Sequence, residues 1–143
     1  MITSQELTLL LREHGYKVTP QRLAVYEALA EETWHPNAEM LYAKLQKRFP
    51  AMSFATVYKT VEILEDIRVI RILNTGEDSY RYDANISDHH HLRCLECGEV
   101  VDAYAGDAAI KQLTREVERR SGYSISSHEF YFYGLCPKCR KLH

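Results

Sequence analysis

Between Asp83 and Asp102 the chain carries His89-His90-His91, then Cys94-Leu95-Glu96-Cys97-Gly98, then Val100-Val101-Asp102. Three imidazoles, two thiols and several carboxylates in so short a stretch exceed anything that core packing requires. Two kinds of metal chemistry separate inside it. Thiolates are soft ligands that suit zinc, whereas imidazole mixed with carboxylate suits iron, manganese or zinc with positions left open. The composition predicts parts of two sites, one holding the fold and one reporting a signal.

The thiol site is completed further on. Cys94-x-x-Cys97 and Cys136-x-x-Cys139 supply four thiolates for a closed tetrahedral zinc. Residues 98–135, 38 in number, separate the pairs. That exceeds zinc-ribbon spacing, so a helix and a strand must lie between the knuckles. The alternatives are redox chemistry by one pair, or four packed thiols. A closed four-thiolate site has no vacancy, so its work is folding: it ties the C-terminal strand back onto the sheet.

The second site draws on scattered residues. Alternate residues of a strand share a face, so His89 and His91 can point at one ion while His90 points away. Asp83 arrives from the end of a hairpin, Asp102 from the strand after the first knuckle, and His35 from the helical half. Three imidazoles and two carboxylates make five ligands and leave a sixth direction open. An ion there would bridge the halves and shift their relative orientation. His14 and His143, isolated in sequence, read as surface side chains.

These ligands need elements to position them. Thr3 and Glu6 form a capping box ahead of a helix with Leu7, Leu10 and Leu11 on one face, ended by Gly15. Thr19-Pro20 opens a second helix through Leu23, Tyr26 and Leu29 to about Glu32. Trp34-His35-Pro36 is a connector. Asn37 caps a third helix carrying Leu41, Leu45 and Phe49, stopped by Pro50. Ser53 caps a fourth, with Val57, Val61 and Leu64 inward. Val69 to Leu73 and Tyr80 to Tyr82 flank a glycine-containing turn and read as a hairpin. Helices followed by a hairpin make a winged helix-turn-helix; the alternative is a plain helical bundle with solvated polar faces. In the winged helix the fourth helix would enter the major groove with Ser53, Thr56, Tyr58, Lys59 and Glu62 outward. Lys17 and Arg22, near the start of the second helix, suit phosphate contact.

Past Asp83 the pattern changes. Leu92 and Val100-Val101 read as short strands. Asp107 caps a helix with Ile110, Leu113 and Val117 inward, ended near Gly122. Ser124 to Tyr133 is rich in β-formers, and its consecutive apolar residues imply burial on both faces, hence a partner subunit. The expected fold class is α+β: a winged helix-turn-helix DNA-binding domain over 1–84, a hinge at about 83–88, and a small α/β dimerisation domain with a four-cysteine zinc over 85–143.

Composition narrows the function classes. The chain has 143 residues, 45% apolar and 27% charged, ordinary for a soluble protein of one or two domains. No apolar run is long enough to span a membrane, and the N-terminus lacks a positive n-region. That points to the cytoplasm, where thiols stay reduced. A formal net charge of -2 argues mildly against binding nucleic acid by bulk electrostatics. Local patches decide that question, and bound divalent metal adds positive charge. Neither a His-Glu-x-x-His helix nor a deaminase signature is present, so a metallohydrolase finds no general base; the chain reads as a non-enzyme.

At these residues the chain resembles the ferric uptake regulator (Fur) family, and within it the PerR-type peroxide-responsive repressors. The resemblance rests on Val18-Thr19-Pro20-Gln21-Arg22, His35-Pro36, Ala55-Thr56-Val57-Tyr58-Lys59, Arg81-Tyr82-Asp83, the run from His89 to Gly98, and Tyr133-Gly134-x-Cys136-x-x-Cys139. It implies that Cys94, Cys97, Cys136 and Cys139 hold structural zinc. It implies that His35, Asp83, His89, His91 and Asp102 hold regulatory Fe(II) or Mn(II), and that Lys17, Tyr58 and Lys59 touch DNA. It further implies a homodimeric repressor on inverted-repeat, AT-rich operators, with hydrogen peroxide as the only small molecule sensed and His35 and His89 as the oxidised residues. Aspartate at 83 and 102 is the peroxide-sensor choice; iron- and zinc-sensing relatives, the alternative reading, tend to carry glutamate. Some iron sensors have a second regulatory site with a glutamate near position 109, here Ala109. His90 and His128, with Asp88, could still form a partial one.

Overall fold

The computed structural model describes residues 1–31 and 35–143. The expected helix end at Glu32 and the connector residue Trp34 lie outside the described residues. The chain forms two compact units, Met1–Ser87 and Asp88–His143.

In the first unit the helix starts follow their caps. Helix α1 (Ser4–Glu13) begins at Thr3, whose Oγ1 accepts from the Glu6 N–H while Glu6 Oε2 accepts from the Thr3 N–H. This reciprocal pair satisfies two otherwise orphaned donors. Gly15 follows at φ 78, a left-handed position that favours glycine. Helix α2 (Pro20–Glu31) starts on Thr19, whose Oγ1 accepts from the Arg22 N–H. Asn37 caps α3 (Ala38–Gln46) through the Met40 N–H, and Ser53 caps α4 (Phe54–Asp66) through the Thr56 N–H. Leu7, Leu11, Val25, Leu29, Leu41, Val57, Val61 and Leu64 from the four helices are buried together.

The chain then makes β1 (Arg71–Leu73) and β2 (Arg81–Asp83), an antiparallel pair with Arg71 opposite Asp83 and Leu73 opposite Arg81. Four helices and this hairpin are the winged-helix arrangement. One expectation needs correction: α3 stops at Gln46 and does not carry Phe49. Pro50 disfavours helical backbone at Phe49. Phe49 instead turns, its N–H donating to Leu45 O and its carbonyl accepting from Met52.

The second unit is built on β3 (His90–Cys94), with β4 (Val100–Ala103) antiparallel on one side and β5 (Tyr131–Gly134) parallel on the other. Helix α5 (Asp107–Ser121) lies between β4 and β5 in sequence, and α6 (Pro137–Arg140) closes the chain. Asp107 is not the cap of α5: Gly106 takes that position without a side-chain bond, and Asp107 falls in the first turn. There its charge complements the helix dipole. The β-rich stretch from Ser124 is shorter than expected, because only Tyr131–Gly134 finds a ladder partner.

Ile110, Leu113 and Val117 were expected to face inward. Among the described residues none of α5 is buried, and Leu113 and Val117 are 43% and 44% exposed. Leu92 and Phe132 on the sheet are likewise exposed. Stripes of this kind stay in water unless another surface covers them.

The first unit's core sets its stability. Leu64 is wholly buried, so Leu64→Ala should lower the unfolding free energy by about 2–5 kcal/mol, read from denaturant melts of the helical signal.

Candidate metal centres

The hairpin from β3 to β4 is a knuckle. The Cys94 N–H donates to Glu99 O, the Gly98 N–H donates to Cys94 O, and Gly98 adopts φ 76. The second knuckle is the start of α6. The register that sets Cys94 opposite Gly134 brings the two together. One sulfur from each of the four cysteines lies within 4.8 Å of the others, and all four are free thiols. Cys97 Sγ and Cys136 Sγ are 3.9 Å apart. A tetrahedron with Zn–S bonds of about 2.3 Å has edges of about 3.8 Å. The four thiols therefore fit a single zinc-sized ion.

Backbone donors prepare this centre. The Cys136 N–H, then that of Cys97, bring the Cys94 thiol down to about 6. Hydrogen bonding with the Cys136 side chain, then burial, pushes Cys139 up to about 12. At Cys97 the hydrogen bond from the Glu99 backbone lowers the thiol, but the Cys94 side chain, burial and the Cys136 side chain together outweigh it and the net direction is up.

Each unit carries its own imidazole and carboxylate residues. In the first, His35 and Asp83 are both buried, and His35 Nδ1 lies 3.6 Å from Asp83 Oδ1. Asp83 ends β2 and also accepts from the Asn85 N–H. His35 adopts φ 50, and the next residue is tied to β2 by the Tyr82 N–H donating to Pro36 O at 3.0 Å.

In the second unit Asp102 stands opposite His91 in the β3–β4 ladder. Asp102 Oδ1 lies 3.1 Å from His89 Nε2 and 3.7 Å from His91 Nε2, and the two rings are 4.7 Å apart. His89 precedes β3 by one residue yet shares the face of His91. Two buried imidazole nitrogens and a carboxylate oxygen converging in this way suit a divalent ion with mixed ligands.

Two tyrosines belong to this group that sequence reasoning missed. Tyr104 stacks on His89 at 6.1 Å and donates to Asp102 Oδ2, and Tyr131 stacks on His91 at 5.8 Å. Alternation along the strand from Asp102 points to Tyr104. Nothing local points to Tyr131, which arrives through the parallel β3–β5 pairing.

His90 faces elsewhere. Its ring lies 5.5 Å from that of His128 and 4.8 Å from that of Phe130. Burial, then the neighbouring His128, lowers its pKa. Asp88, His90 and His128 share a cavity of about 340 Å3 with Lys111, whose ammonium opposes a cation there.

The residues expected to face DNA lie in the first unit. Ser53, Thr56, Tyr58, Lys59 and Glu62 are exposed along α4, and Lys17 is exposed before α2. Arg22 is half-buried, its Nη1 donating to Lys17 O at 2.7 Å. A cleft of about 520 Å3 is lined by Thr19, Arg22, Arg48 and Thr56. Arg48 and the exposed Phe54 of α4 were not anticipated.

A winged helix carrying donor sets for metal ions defines a class of metal-dependent DNA-binding regulators. The family model described as the ferric uptake regulator family matches residues 13–133. The chain is 38% identical to the peroxide operon regulator of Bacillus subtilis, over 92% of this chain and 89% of that protein. Among solved structures it resembles the Helicobacter pylori ferric uptake regulator Fur, which has three functional metal-binding sites (TM-score 0.83, 25% identity, 95% and 90% of the two chains). It also resembles the Campylobacter jejuni peroxide stress regulator (TM-score 0.70, 29% identity, 97% and 100%). The chain belongs to the ferric uptake regulator family. Members are dimeric DNA-binding transcriptional regulators, not enzymes.

Thiol protonation makes ion uptake at the four cysteines pH-dependent. Near neutrality Cys94 is ionised while Cys97 and Cys139 hold protons, so zinc binding should expel protons. Its affinity should fall as pH falls, more steeply below about 6, where a proton also competes for Cys94. Titrating the metal-free protein with zinc at several pH values in weakly buffered solution reads both effects.

Proposed function

We propose that this protein is a metal-dependent transcriptional repressor that senses hydrogen peroxide by oxidation of one of its own histidine ligands. The observation that carries the reading is the pair of mixed imidazole–aspartate groups, one in each unit. His35 and Asp83 from the DNA-reading unit, with His89, His91 and Asp102 from the other, are the ligands of one regulatory ion, Fe(II) or Mn(II). Cys94, Cys97, Cys136 and Cys139 hold a structural zinc.

The ligand set explains the switch. A segment at about residues 83–88 acts as a hinge between domains 1–84 and 85–143, and residues on both sides of it contribute to a single ion. Binding therefore selects the arrangement in which the reader can engage an operator, a population shift limited by the ion's differential affinity for the two arrangements. The repressor is a homodimer, with Leu92, Leu113, Val117 and Phe132 supplying apolar contact. Its operator is an AT-rich inverted repeat, matching the two-fold symmetry of the protein. Lys17, Arg22, Ser53, Thr56, Tyr58 and Lys59 contact that DNA, which places the protein in the cytoplasm.

When bound, Fe(II) would supply one-electron chemistry that activates peroxide beside the ligands, the imidazole being the net donor of the two electrons that cleave the O–O bond; Mn(II) would fill the site without that chemistry. In net terms one peroxide oxygen is added at a ring carbon of His35 or His89, and the other leaves as water. An oxidised ring ligates poorly, so the ligand set loses a member and the operator is released. Aspartate at both carboxylate positions, together with the likeness to peroxide regulators, favours this reading over an iron- or zinc-availability sensor.

Mass spectrometry of protein treated with peroxide should find a single added oxygen on peptides containing His35 or His89 after Fe(II) loading and none after Mn(II) loading. Unmodified histidines with the operator still bound would instead favour an availability sensor. Asp102→Glu should retain metal-dependent operator binding and respond weakly to peroxide in gel-shift assays; undiminished sensitivity would remove the argument from aspartate.

A further inference from the structure

Arg81 is a buried guanidinium that neither the DNA-facing surface nor the ligand set uses. Its Nε and Nη2 donate to the two carboxylate oxygens of Glu77, at 2.9 and 3.1 Å. This forked, charge-assisted pair is geometrically specific. Nη1 turns the other way, donating to the His35 carbonyl at 3.3 Å and to Met40 Sδ at 3.6 Å. Glu77 sits in the wing turn between β1 and β2, where Thr75 Oγ1 also donates to its Oε2 at 2.9 Å. One side chain thus joins the wing turn, α3 and the loop that carries a candidate ligand.

The residue it holds has an unusual backbone. His35 lies at φ 50, a region that L side chains keep only where their surroundings impose it. The next two residues are fastened to the wing as well, Pro36 O by the Tyr82 N–H and Asn37 Nδ2 on Ser79 Oγ at 3.2 Å. That local conformation presents the imidazole to Asp83.

We propose that Arg81, braced by Glu77, is a positioning residue for the regulatory site: it fixes the His35 backbone, and so the aim of its ring, to the wing turn. This rests on reading His35 and Asp83 as ligands. Ion affinity and wing order then rise together. Linkage is reciprocal, so a duplex that orders the wing tightens the ion as much as the ion tightens the duplex. Lysine cannot replace Arg81, because a single ammonium lacks the fixed fork and the opposed third donor.

The test uses the full-length, zinc-loaded protein with Glu77→Gln and Arg81→Lys. Glu77→Gln keeps the shape and removes the counter-charge. Thr75→Val, which removes the hydroxyl that donates to Glu77, carries the test should Arg81→Lys fail to fold. Mn(II) titration should show binding weakened about tenfold, typical of losing a partner that orients a ligand. The visible absorption of the variants saturated with Co(II) should also change, because it reports ligand geometry independently of stability. A variant with native zinc content and circular dichroism that binds Mn(II) as wild type does, with an unchanged Co(II) spectrum, would overturn the proposal and leave Arg81 a brace of the wing alone. His35→Ala is the control for the underlying reading. Equal Mn(II) binding by His35→Ala and wild type would remove His35 from the ligand set, and the proposal with it.

Discussion

Burying a carboxylate or an imidazole away from water is costly unless something meets its polar atoms. This chain does so in both of its units. His35 lies against Asp83, and His89 and His91 lie against Asp102. Each group is an imidazole–carboxylate contact walled by hydrogen-bonded backbone or stacked aromatic rings. Side chains held in such contacts have little freedom left to lose when they bind a ligand.

The second unit has a different problem. Residues 88–143 are too few to bury a large core, and small domains of that size lean on metals, cross-links or partners. Its only fully buried apolar residue among the described ones is Val100, at 0% exposure. The four cysteines gather where the end of β3 meets the start of α6, a donor set that fits one ion. The stripe on α5 and the sheet stays in water unless another surface covers it.

Much of this was legible in the residues because the signals were local. Capping side chains gave the starts of α1, α3 and α4, and the paired Cys-x-x-Cys spacing pointed to a four-thiol cluster, which the sulfur positions match. The α+β class and the winged helix followed from a change of period after Leu64. Local signals failed where distant pairing decides. The length of β5 depends on β3, which sequence alternation cannot see. Leu113 and Val117 carry a buried-face pattern, yet a single chain leaves that face open. Arg81 looked like part of a motif, and only coordinates reveal that it reaches across to His35.

The parallel pairing of β5 with β3 has a consequence for how the molecule is made. The helices of the first unit meet through contacts close in sequence, and such units fold fast. A sheet whose central strand must wait for a partner some forty positions later folds slowly, and synthesis delivers the N-terminal unit first. A nascent chain can therefore complete its winged helix well before the second unit exists, and for that interval the helices and hairpin stand alone.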